Sequence, residues 1–211
     1  MLRIILGICF LYCASVLSAQ KNNAADTAQV YRFISLSKQK CEERQNDSAA
    51  YYSAKAVGLA VKTGYATAIA DAYIQEGWLR EKNQQFEKAI SFYQQALKTA
   101  DAIAGEEGKK LKARISSRIG VKYDYLLQWD KAISYHQDAL HLSEAVKDTI
   151  GIIRACVNLQ TVYFSMQENS KAMEHIRRGY DLAKLTGDPE AIGYTALNIS
   201  DNYVRIGKRD S

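Results

Sequence analysis

Proline is almost missing from this chain: Pro189 is the only one in 211 residues, and 12 glycines accompany it. Because disordered linkers are rich in proline, glycine and small polar residues, this composition leaves no room for a long one. Histidine is also scarce, with three residues, and beyond the first twenty residues no apolar stretch reaches the roughly 20 residues that span a bilayer. The remainder, 47% hydrophobic and 24% charged, is typical of a folded soluble protein.

The first nineteen residues differ from the rest. A positive start at Arg3 precedes an almost continuous apolar run over residues 4–17, and small residues follow. This layout predicts a secretory signal peptide over residues 1–19, since 14 apolar residues are too few to span a bilayer. We expect an exported protein, periplasmic in a double-membraned bacterium, without a membrane span once the signal is cleaved. The alternatives are a retained anchor and lipid attachment at Cys13, although Tyr12 is larger than the residue that usually precedes a lipidated cysteine.

The chain repeats itself about every forty residues. The clearest markers are four alanines separated by 40, 43 and 40 residues, each followed seven residues later by another small residue. The alanines are Ala49, Ala89, Ala132 and Ala172, and their partners are Ala56, Ala96, Ala139 and Gly179. Such a period indicates one supersecondary unit that is stacked several times. Stacked units present an extended surface, which favours a binding function over a catalytic cleft.

Within each unit the apolar residues follow a helical period. Around Ala89, the residues Phe86, Ile90 and Tyr93 recur at the three- and four-residue steps of one helix face. The three extra residues of the 43-residue spacing fit the segment 105–110, which we expect to form a longer turn between repeats. The pattern predicts nine helices, at residues 26–44, 47–63, 66–83, 86–103, 108–127, 130–146, 149–166, 169–186 and 189–206.

The same residue types recur at matching positions of four units. In the third unit they are Ile119, Gly120, Tyr123, Trp129, Ala132, Ile133, Tyr135, Ala139 and Leu140. The second and first units carry Arg80 and Lys40 where the third and fourth carry Tyr123 and Tyr163. In this pattern the chain resembles the tetratricopeptide repeat (TPR) family, whose units are pairs of antiparallel helices.

The resemblance implies an all-α, right-handed solenoid of antiparallel helix pairs, with about four and a half repeats over residues 26–207. The two helices of a pair approach closely only where side chains are small, and we expect Gly77 opposite Ala89 and Gly120 opposite Ala132. The implied repeats are residues 30–63, 70–103, 113–146 and 153–186, followed by a final helix at 189–206.

The resemblance also implies that the first helices of the repeats line a concave groove that binds a peptide or a protein. Arg114 and Arg118 lie one helical turn apart and form the best candidate anion-binding pair. The alternatives are that the two arginines are a solvated face or pair with Asp71 or Asp124, and that Trp78 packs against a neighbouring helix. The candidate groove residues are Tyr31, Lys38, Trp78, Arg114, Arg118, Arg154, Asn158, Phe164, Tyr194 and Asn198.

Some members of the family bind the C-terminal carboxylates of cytosolic chaperones through a set of five polar residues. Only Arg114 and Arg118 match that set, because Ile34, Lys38 and Gln75 stand at its other three places. We therefore do not predict that activity.

Nothing in the sequence predicts an enzyme, a metal site or a cofactor. His136 stands where the repeat usually has an aromatic residue, which indicates packing. His141 and Glu144 lie three residues apart, but two ligands are too few for a tight metal site. No nucleophile elbow, phosphate-binding loop or cysteine pair motif occurs.

The net charge and the positions of the cysteines allow two further predictions, on nucleic-acid binding and on disulfides. Without residues 1–19 the formal charge is 27 − 23 = +4, and the charges are interspersed, so we predict no nucleic-acid binding. Cys41 and Cys156 fall in the first and fourth repeats, too far apart for a disulfide, and we expect free, packed thiols.

Two functional hypotheses remain. The first is an exported scaffold that binds a peptide or protein partner in the groove. The second is the sensory part of a longer membrane signalling receptor, since helix 189–206 looks like the first half of a fifth repeat. Alternatively this helix is a cap, with Ile199 and Tyr203 packed on the fourth repeat and Asn202 on the solvated face.

Overall fold

The computed structural model describes residues 24–209, which contain helices and no strand. The signal peptide predicted at residues 1–19 lies outside the described residues. None of the described helices combines the length and the apolarity needed to cross a membrane. The helices are α1 (24–42), α2 (Asn46–Thr63), α3 (Ala66–Lys82), α4 (Phe86–Ala100), α5 (Gly105–Tyr125), α6 (Trp129–Ala145), α7 (Thr149–Ser165), α8 (Asn169–Thr186) and α9 (Pro189–Arg209).

The described helices form an all-α solenoid of antiparallel pairs, so the predicted fold class is confirmed. From α2 onward each helix packs against the next one along the chain, and short loops make such neighbours antiparallel. Helix α5 also contacts α7, and α7 contacts α9, so that the first helices of successive repeats lie side by side. This arrangement brings residues about forty positions apart in sequence onto one surface.

The buried residues form three separate clusters rather than one central core. One joins α1, α2 and α3 through Val30, Ala56 and Ala68. The others join the second repeat to the third and the third to the fourth, around Ile115 and Leu159 respectively. Each cluster therefore spans a seam between repeats, as expected where a unit cannot bury its apolar face alone.

The two motif glycines leave room for a ring rather than for an alanine. A Cβ atom built on Gly77 would lie 2.6 Å from a Tyr93 ring carbon, and one built on Gly120 would lie 2.6 Å from a His136 ring carbon. Ala89 and Ala132 are fully buried, as expected, but they are not the nearest neighbours of the glycines. A ring sixteen residues along the chain is therefore the nearest neighbour of each glycine, and the prediction that His136 packs is confirmed.

The motif tyrosines stack on rings twelve residues later. Tyr123 stacks on Tyr135 with ring centroids 5.5 Å apart, and Tyr163 stacks on His175 at 5.4 Å. In the second repeat Arg80 takes the same place, with its guanidinium carbon 5.9 Å from the centre of the Phe92 ring. An arginine thus fills the tyrosine position through a cation–π contact, which explains why the motif tolerates it.

The turns inside the repeats share one geometry. In each, the first helix ends in a Schellman motif: after α3, the Gln85 N–H binds the Arg80 carbonyl at 2.9 Å and the Gln84 N–H binds the Glu81 carbonyl at 3.0 Å. The left-handed residue of this motif is usually glycine, yet none of the four is. These residues are Arg44, Gln84, Leu127 and Gln167, with φ between 55° and 63°.

The longer turn predicted at residues 105–110 is wrong. The connecting loop is Asp101–Ala104, and α5 begins at Gly105. Glu106 and Glu107 lie in the first turn, where acidic side chains favour a helix N-terminus. The extra residues therefore lengthen α5, and Gly108 permits this because a Cβ atom there would lie 1.9 Å from the Ile103 carbonyl oxygen.

The orientation expected for the final helix is also corrected. Asn202, expected on the solvated face, is buried, and its Oδ1 accepts a hydrogen bond from Gln160 at 3.0 Å. Tyr203 is 52% exposed, and its hydroxyl accepts a hydrogen bond from Arg177 at 2.9 Å. The polar Asn202–Gln160 pair thus holds α9 to the fourth repeat.

Both cysteines within the described range are free thiols, as predicted. Cys156 is buried, and burial raises the pKa of its thiol to about 11. Cys41 is only half-buried, so the expected packing holds fully for Cys156 alone.

Candidate binding groove

The first helices of the repeats shape three neighbouring cavities. The N-terminal cavity, of about 310 Å³, lies between α1, α3 and α5. It brings together five of the predicted groove residues: Tyr31, Lys38, Trp78, Arg114 and Arg118. Residues from three repeats therefore meet at one place, as the resemblance to the TPR family implied.

The central cavity, of about 390 Å³, follows between α3, α5 and α7. Arg114 and Arg118 line it as well, and α7 adds the predicted residues Arg154 and Asn158. The Asn158 amide donates to the Ser117 hydroxyl at 2.9 Å, which fixes α7 against α5 at the cavity wall.

The C-terminal cavity, of about 510 Å³, lies between α7 and α9. Arg154 and Tyr194 line it together with Ile150 and Ile153. Asp188 and Glu190, at the start of α9, complete its wall. Because Arg154 also lines the central cavity, the two cavities adjoin.

Two predicted groove residues lie elsewhere. Phe164 is 8% exposed and packs in the core cluster with Leu159 and Tyr163. It follows Asn158 by six residues, and at about 100° per residue its side chain leaves the helix about 120° away from that of Asn158. Asn198 is half-buried on α9 and donates its amide to the Tyr194 carbonyl at 2.8 Å, and it lines none of the three cavities described here.

The two arginines are not neutralised by the aspartates considered as their partners. Among the described residues neither Arg114 nor Arg118 has a carboxylate within 4.0 Å. Asp71 instead accepts a hydrogen bond from the Tyr31 hydroxyl at 3.1 Å. Burial raises the pKa of Asp71, while that hydrogen bond and the charges of Arg114 and Lys38 partly oppose the rise. Burial, with the Asp71 charge beside it, raises the pKa of Tyr31 to about 12.

Trp78 contacts a lysine of its own helix and lines a cavity, and its packing against a neighbouring helix stays a prediction. Its ring is half-buried, and the Lys82 ammonium lies 5.5 Å from the ring centre. The indole also lines the N-terminal cavity. It is therefore held in place by its neighbours and still presents surface to a ligand.

A charged network that the sequence analysis missed underlies the central cavity. The Lys122 amine lies 2.6 Å from a Glu81 carboxylate oxygen, and the Tyr93 hydroxyl donates to the other oxygen at 2.8 Å. Burial alone raises the pKa of Glu81, but the bonds from Lys122 and Tyr93 and the charges of Lys122 and Arg118 outweigh it, so this pKa lies below its ordinary value. The same carboxylate and burial raise the pKa of Tyr93.

Lys122 itself is buried, with its ammonium 5.7 Å from the centre of the Phe86 ring and 5.1 Å from that of Tyr125. A lysine on a helix usually indicates a solvated face, which is why the sequence did not identify it.

Chemically, the groove is suited to binding. It offers guanidinium groups, an indole, a phenol and an amide in adjoining cavities. Within residues 24–209 no group of three or more histidine, cysteine, aspartate or glutamate side chains could hold a metal ion. His136 is buried against Gly120, and burial lowers its pKa to about 4.

No protein-family model matches the sequence. No curated protein matches it either. Solved structures do share the fold. BtubC (BKLC) from P. vanneervenii is 20% identical, with a TM-score of 0.78 over 92% of this chain and 81% of that one.

Two further solved structures are TPR proteins by name. A signal transduction ATPase with a tetratricopeptide repeat sensor from Pyrococcus horikoshii is 16% identical, with a TM-score of 0.74 over 85% of this chain but only 28% of that one. The TPR-like repeats of a kinesin light chain from Podosopora anserina are 12% identical, with a TM-score of 0.71 over 87% and 90% of the two chains. At these identities the likeness establishes a TPR-like fold.

Proposed function

We propose that this chain is an exported helical-repeat scaffold, and not an enzyme, that binds a peptide or protein partner along its concave groove. The observation that carries the proposal is the continuity of the three cavities. Arg114 and Arg118 line both the N-terminal and the central cavity, and Arg154 lines both the central and the C-terminal cavity. A single elongated ligand can therefore contact all three.

The size of the groove fits an extended peptide. Packed helices lie roughly 8–10 Å apart, so the four gaps between five first helices side by side span roughly 32–40 Å. An extended chain advances about 3.3 Å per residue, so roughly ten residues would fill this length. The aromatic and guanidinium groups in the groove are the side chains that most often dominate binding energy at interfaces.

The test is selection from a random peptide library displayed on phage. We expect the full chain to enrich a consensus, and the triple variant Trp78→Ala, Arg114→Gln, Arg118→Gln to lose at least tenfold in binding while its helical circular dichroism is unchanged. The matched control, Tyr51→Ala, Lys55→Gln, Lys62→Gln, removes one aromatic residue and two charges from exposed positions of α2 and should bind normally. If the triple variant enriched the same peptides equally well, the peptides would not bind in the groove, and the proposal would be wrong.

Export is supported by the composition of residues 1–19 alone. In a double-membraned bacterial host, we expect the periplasmic fraction to contain protein that begins near Gln20 by N-terminal sequencing. Uncleaved protein in the membrane fraction would indicate the retained anchor, and a lipid on Cys13 by mass spectrometry would indicate lipidation.

A second candidate function is the sensory segment of a longer membrane receptor. It is favoured by the P. horikoshii structure, in which the TPR region is a sensor and this chain covers 28% of the whole. An antibody raised against the groove helices distinguishes the two functions in the source cells, since a receptor would appear as a membrane-bound polypeptide much larger than 23.6 kDa.

A further inference from the structure

The central and C-terminal cavities differ in charge although they share Arg154. The central cavity is lined by four cationic side chains, Arg114, Arg118, Lys122 and Arg154, and by one acidic side chain, Glu81. Lys122 and Glu81 neutralise each other through their 2.6 Å ion pair. Three guanidinium groups therefore remain to face a ligand, and no carboxylate of the described residues lies within 4.0 Å of any of them.

Contacts at the walls of the central cavity support Arg118 and join the two helices that carry the three arginines. Ser117, which is buried, receives the Asn158 amide, and this bond joins α5 to α7 between the arginines of the two helices. The Arg118 guanidinium carbon lies 5.9 Å from the centre of the Tyr93 ring, whose hydroxyl is bound to Glu81. A guanidinium group supported in this way loses less side-chain entropy when it binds a carboxylate, and the exposed Arg114 and Arg154 add charge beside it.

The C-terminal cavity has the opposite character. Its large apolar side chains are unusually accessible, since Ile150 is 46% exposed and Tyr194 is 55% exposed. Its two acidic side chains belong to the start of α9, where Asp188 accepts the Glu190 N–H at 3.0 Å. An apolar side chain that enters this cavity covers Ile150 and Tyr194, whereas an acidic one meets Asp188 and Glu190.

We propose that the groove recognises a two-part peptide motif, with an acidic side chain in the central cavity and a large apolar side chain in the C-terminal cavity. This inference rests on the proposed peptide-binding function and adds the chemical class of the ligand. The two cavities lie one first-helix step apart, about 8–10 Å. An extended peptide crosses this distance in about three residues, so the acidic and apolar side chains stand about three positions apart.

The probe is a capped octapeptide of serine and threonine that carries one glutamate and one leucine three positions apart. Two versions are made, one with the glutamate before the leucine and one with the leucine before the glutamate. Two counterparts replace the glutamate by glutamine or the leucine by serine. Binding to the full chain is followed by fluorescence anisotropy in low salt. We expect one order of the glutamate–leucine peptide to bind at least tenfold more tightly than the glutamine counterpart, and several-fold more tightly than the serine counterpart.

Variants assign the two halves of the motif. Arg114→Gln should weaken the glutamate–leucine peptide about tenfold and leave the glutamine counterpart unchanged. Tyr194→Ser should reduce the preference for leucine over serine and keep the preference for glutamate. The matched control, Arg32→Gln, removes the same charge from an exposed position of α1 and should have no effect beyond a small change in salt dependence.

Three outcomes overturn the proposal. The first is that the glutamine counterpart binds as tightly as the glutamate peptide. The second is that Arg114→Gln weakens binding no more than Arg32→Gln does. The third is that inorganic phosphate binds to the chain while none of the peptides does. The library selection separates this failure from that of the proposed function. A groove-dependent consensus without an acidic residue refutes the motif alone, whereas the absence of any consensus refutes peptide binding as a whole.

Discussion

Two seams of this solenoid use the same packing geometry and differ in their polar partners. The first seam starts inside the second repeat, where Tyr93 of α4 lies against Gly77 of α3 and its hydroxyl binds Glu81. Glu81 also binds Lys122, which belongs to the third repeat. Every charged or hydroxyl group of this chain of contacts has a partner.

The second seam starts inside the third repeat and reaches the fourth, and its equivalent residues are Gly120, His136, Asp124 and, in the fourth repeat, Val162. His136 fills the place of Tyr93 against Gly120, but its buried Nδ1 has no hydrogen-bond partner among the described residues. Burial raises the pKa of Asp124, and the position of Lys122 is taken by the fully buried Val162.

The difference shows what the repeat fixes and what it leaves free. Both seams keep a glycine that faces a ring at the place where the two helices approach. The polar groups beyond the ring are not needed for packing, and only the first of these seams builds an ion pair there, next to the central cavity. In a solenoid each unit contacts only its neighbours, so such a local addition does not disturb the other repeats.

The largest expected effect comes from removing the buried cation of the first seam. Lys122→Ala leaves Glu81 without its ion pair and removes the ammonium that lies beside the stacked Phe86 and Tyr125 rings. Breaking a buried pair by deleting one partner costs about 4 kcal/mol. We expect a loss of this size in the free energy of unfolding, measured with urea at pH 7.

The matched control is Lys131→Ala, which deletes an exposed lysine whose ammonium also lies near a ring, at 5.2 Å from the centre of Tyr123. It should cost below about 1 kcal/mol, as exposed charges do. Adding Glu81→Gln to Lys122→Ala should restore part of the loss, because the carboxylate is then no longer unpaired. If both lysine variants lose the same stability, the seams do not differ as described.

The second seam should respond to pH through His136. Burial lowers the pKa of this folded-state histidine from 6.5 to about 4. Between pH 6.5 and 4 the unfolded chain therefore binds more protons than the folded one, and stability falls as the pH falls through this window. At 1.36 kcal/mol for each pKa unit, the full effect is about 3 kcal/mol.

His136→Tyr, which copies the ring of the first seam, isolates this contribution. Because other carboxylates titrate in the same range, the informative quantity is the difference in urea unfolding free energy between the two proteins at pH 7 and at pH 4.5. We expect the difference to shift in favour of the tyrosine variant at the lower pH. A difference that stays constant with pH would mean that His136 is not buried as a neutral ring.

The sequence predicted every described helix end to within three residues. The turn that it predicted at residues 105–110 is instead the start of α5. The TPR resemblance also implied which residues of α1, α3, α5, α7 and α9 converge, because it specifies which positions of the first helices face the groove. Eight of the ten candidate groove residues line the three cavities. Phe164 failed because a helix turns about 100° per residue, so a small error in register over six residues moves a side chain to another face.

The charged network could not be derived in the same way. From their residue types alone, Lys122 and Glu81 would be expected to face solvent. They lie 2.6 Å apart because the second and third repeats pack against each other, and the sequence does not show how closely the repeats pack. The rings facing Gly77 and Gly120 were missed because the family pattern draws attention to the alanines four residues before them. Helical periodicity identifies a buried face, but it does not say which atom of the partner helix reaches a given glycine.

Adding a methyl group at the two glycines tests the shared geometry. In both cases the new Cβ atom would lie 2.6 Å from a ring atom, so the ring must move. Tyr93 is held by its bond to Glu81, whereas the His136 Nδ1 has no described partner to lose. We expect thermal and urea unfolding to show a loss of about 2 kcal/mol for Gly77→Ala and about 1 kcal/mol for Gly120→Ala.

The rescue uses the first repeat, which has Ser37 and Ser53 at the corresponding positions. Combining Gly120→Ala with His136→Ser removes the ring that the methyl group meets, so the double variant should be more stable than the sum of the single effects predicts. An additive result would show that the glycine and the ring do not touch.

The smallest effect tests the claim that the repeats differ in polar partners and not in backbone. Gln84 and Leu127 occupy the same left-handed position in the turns of the second and third repeats, with φ of 57° and 55°. Both side chains are exposed, Leu127 by 71%, so little packing is lost on their removal. A residue with a side chain destabilises the folded state by roughly 1–2 kcal/mol when its backbone is left-handed. Glycine removes this strain, but it loses more conformational entropy on folding, which offsets part of the gain.

Gln84→Gly and Leu127→Gly should therefore each raise the free energy of unfolding by about 0.5 kcal/mol. Gly64→Ala is the reciprocal control, because Gly64 has φ of 70° with no atom within 4 Å of the added Cβ, and it should lower stability through backbone strain alone. Unequal gains at the two turns would mean that the difference between the repeats extends into the backbone.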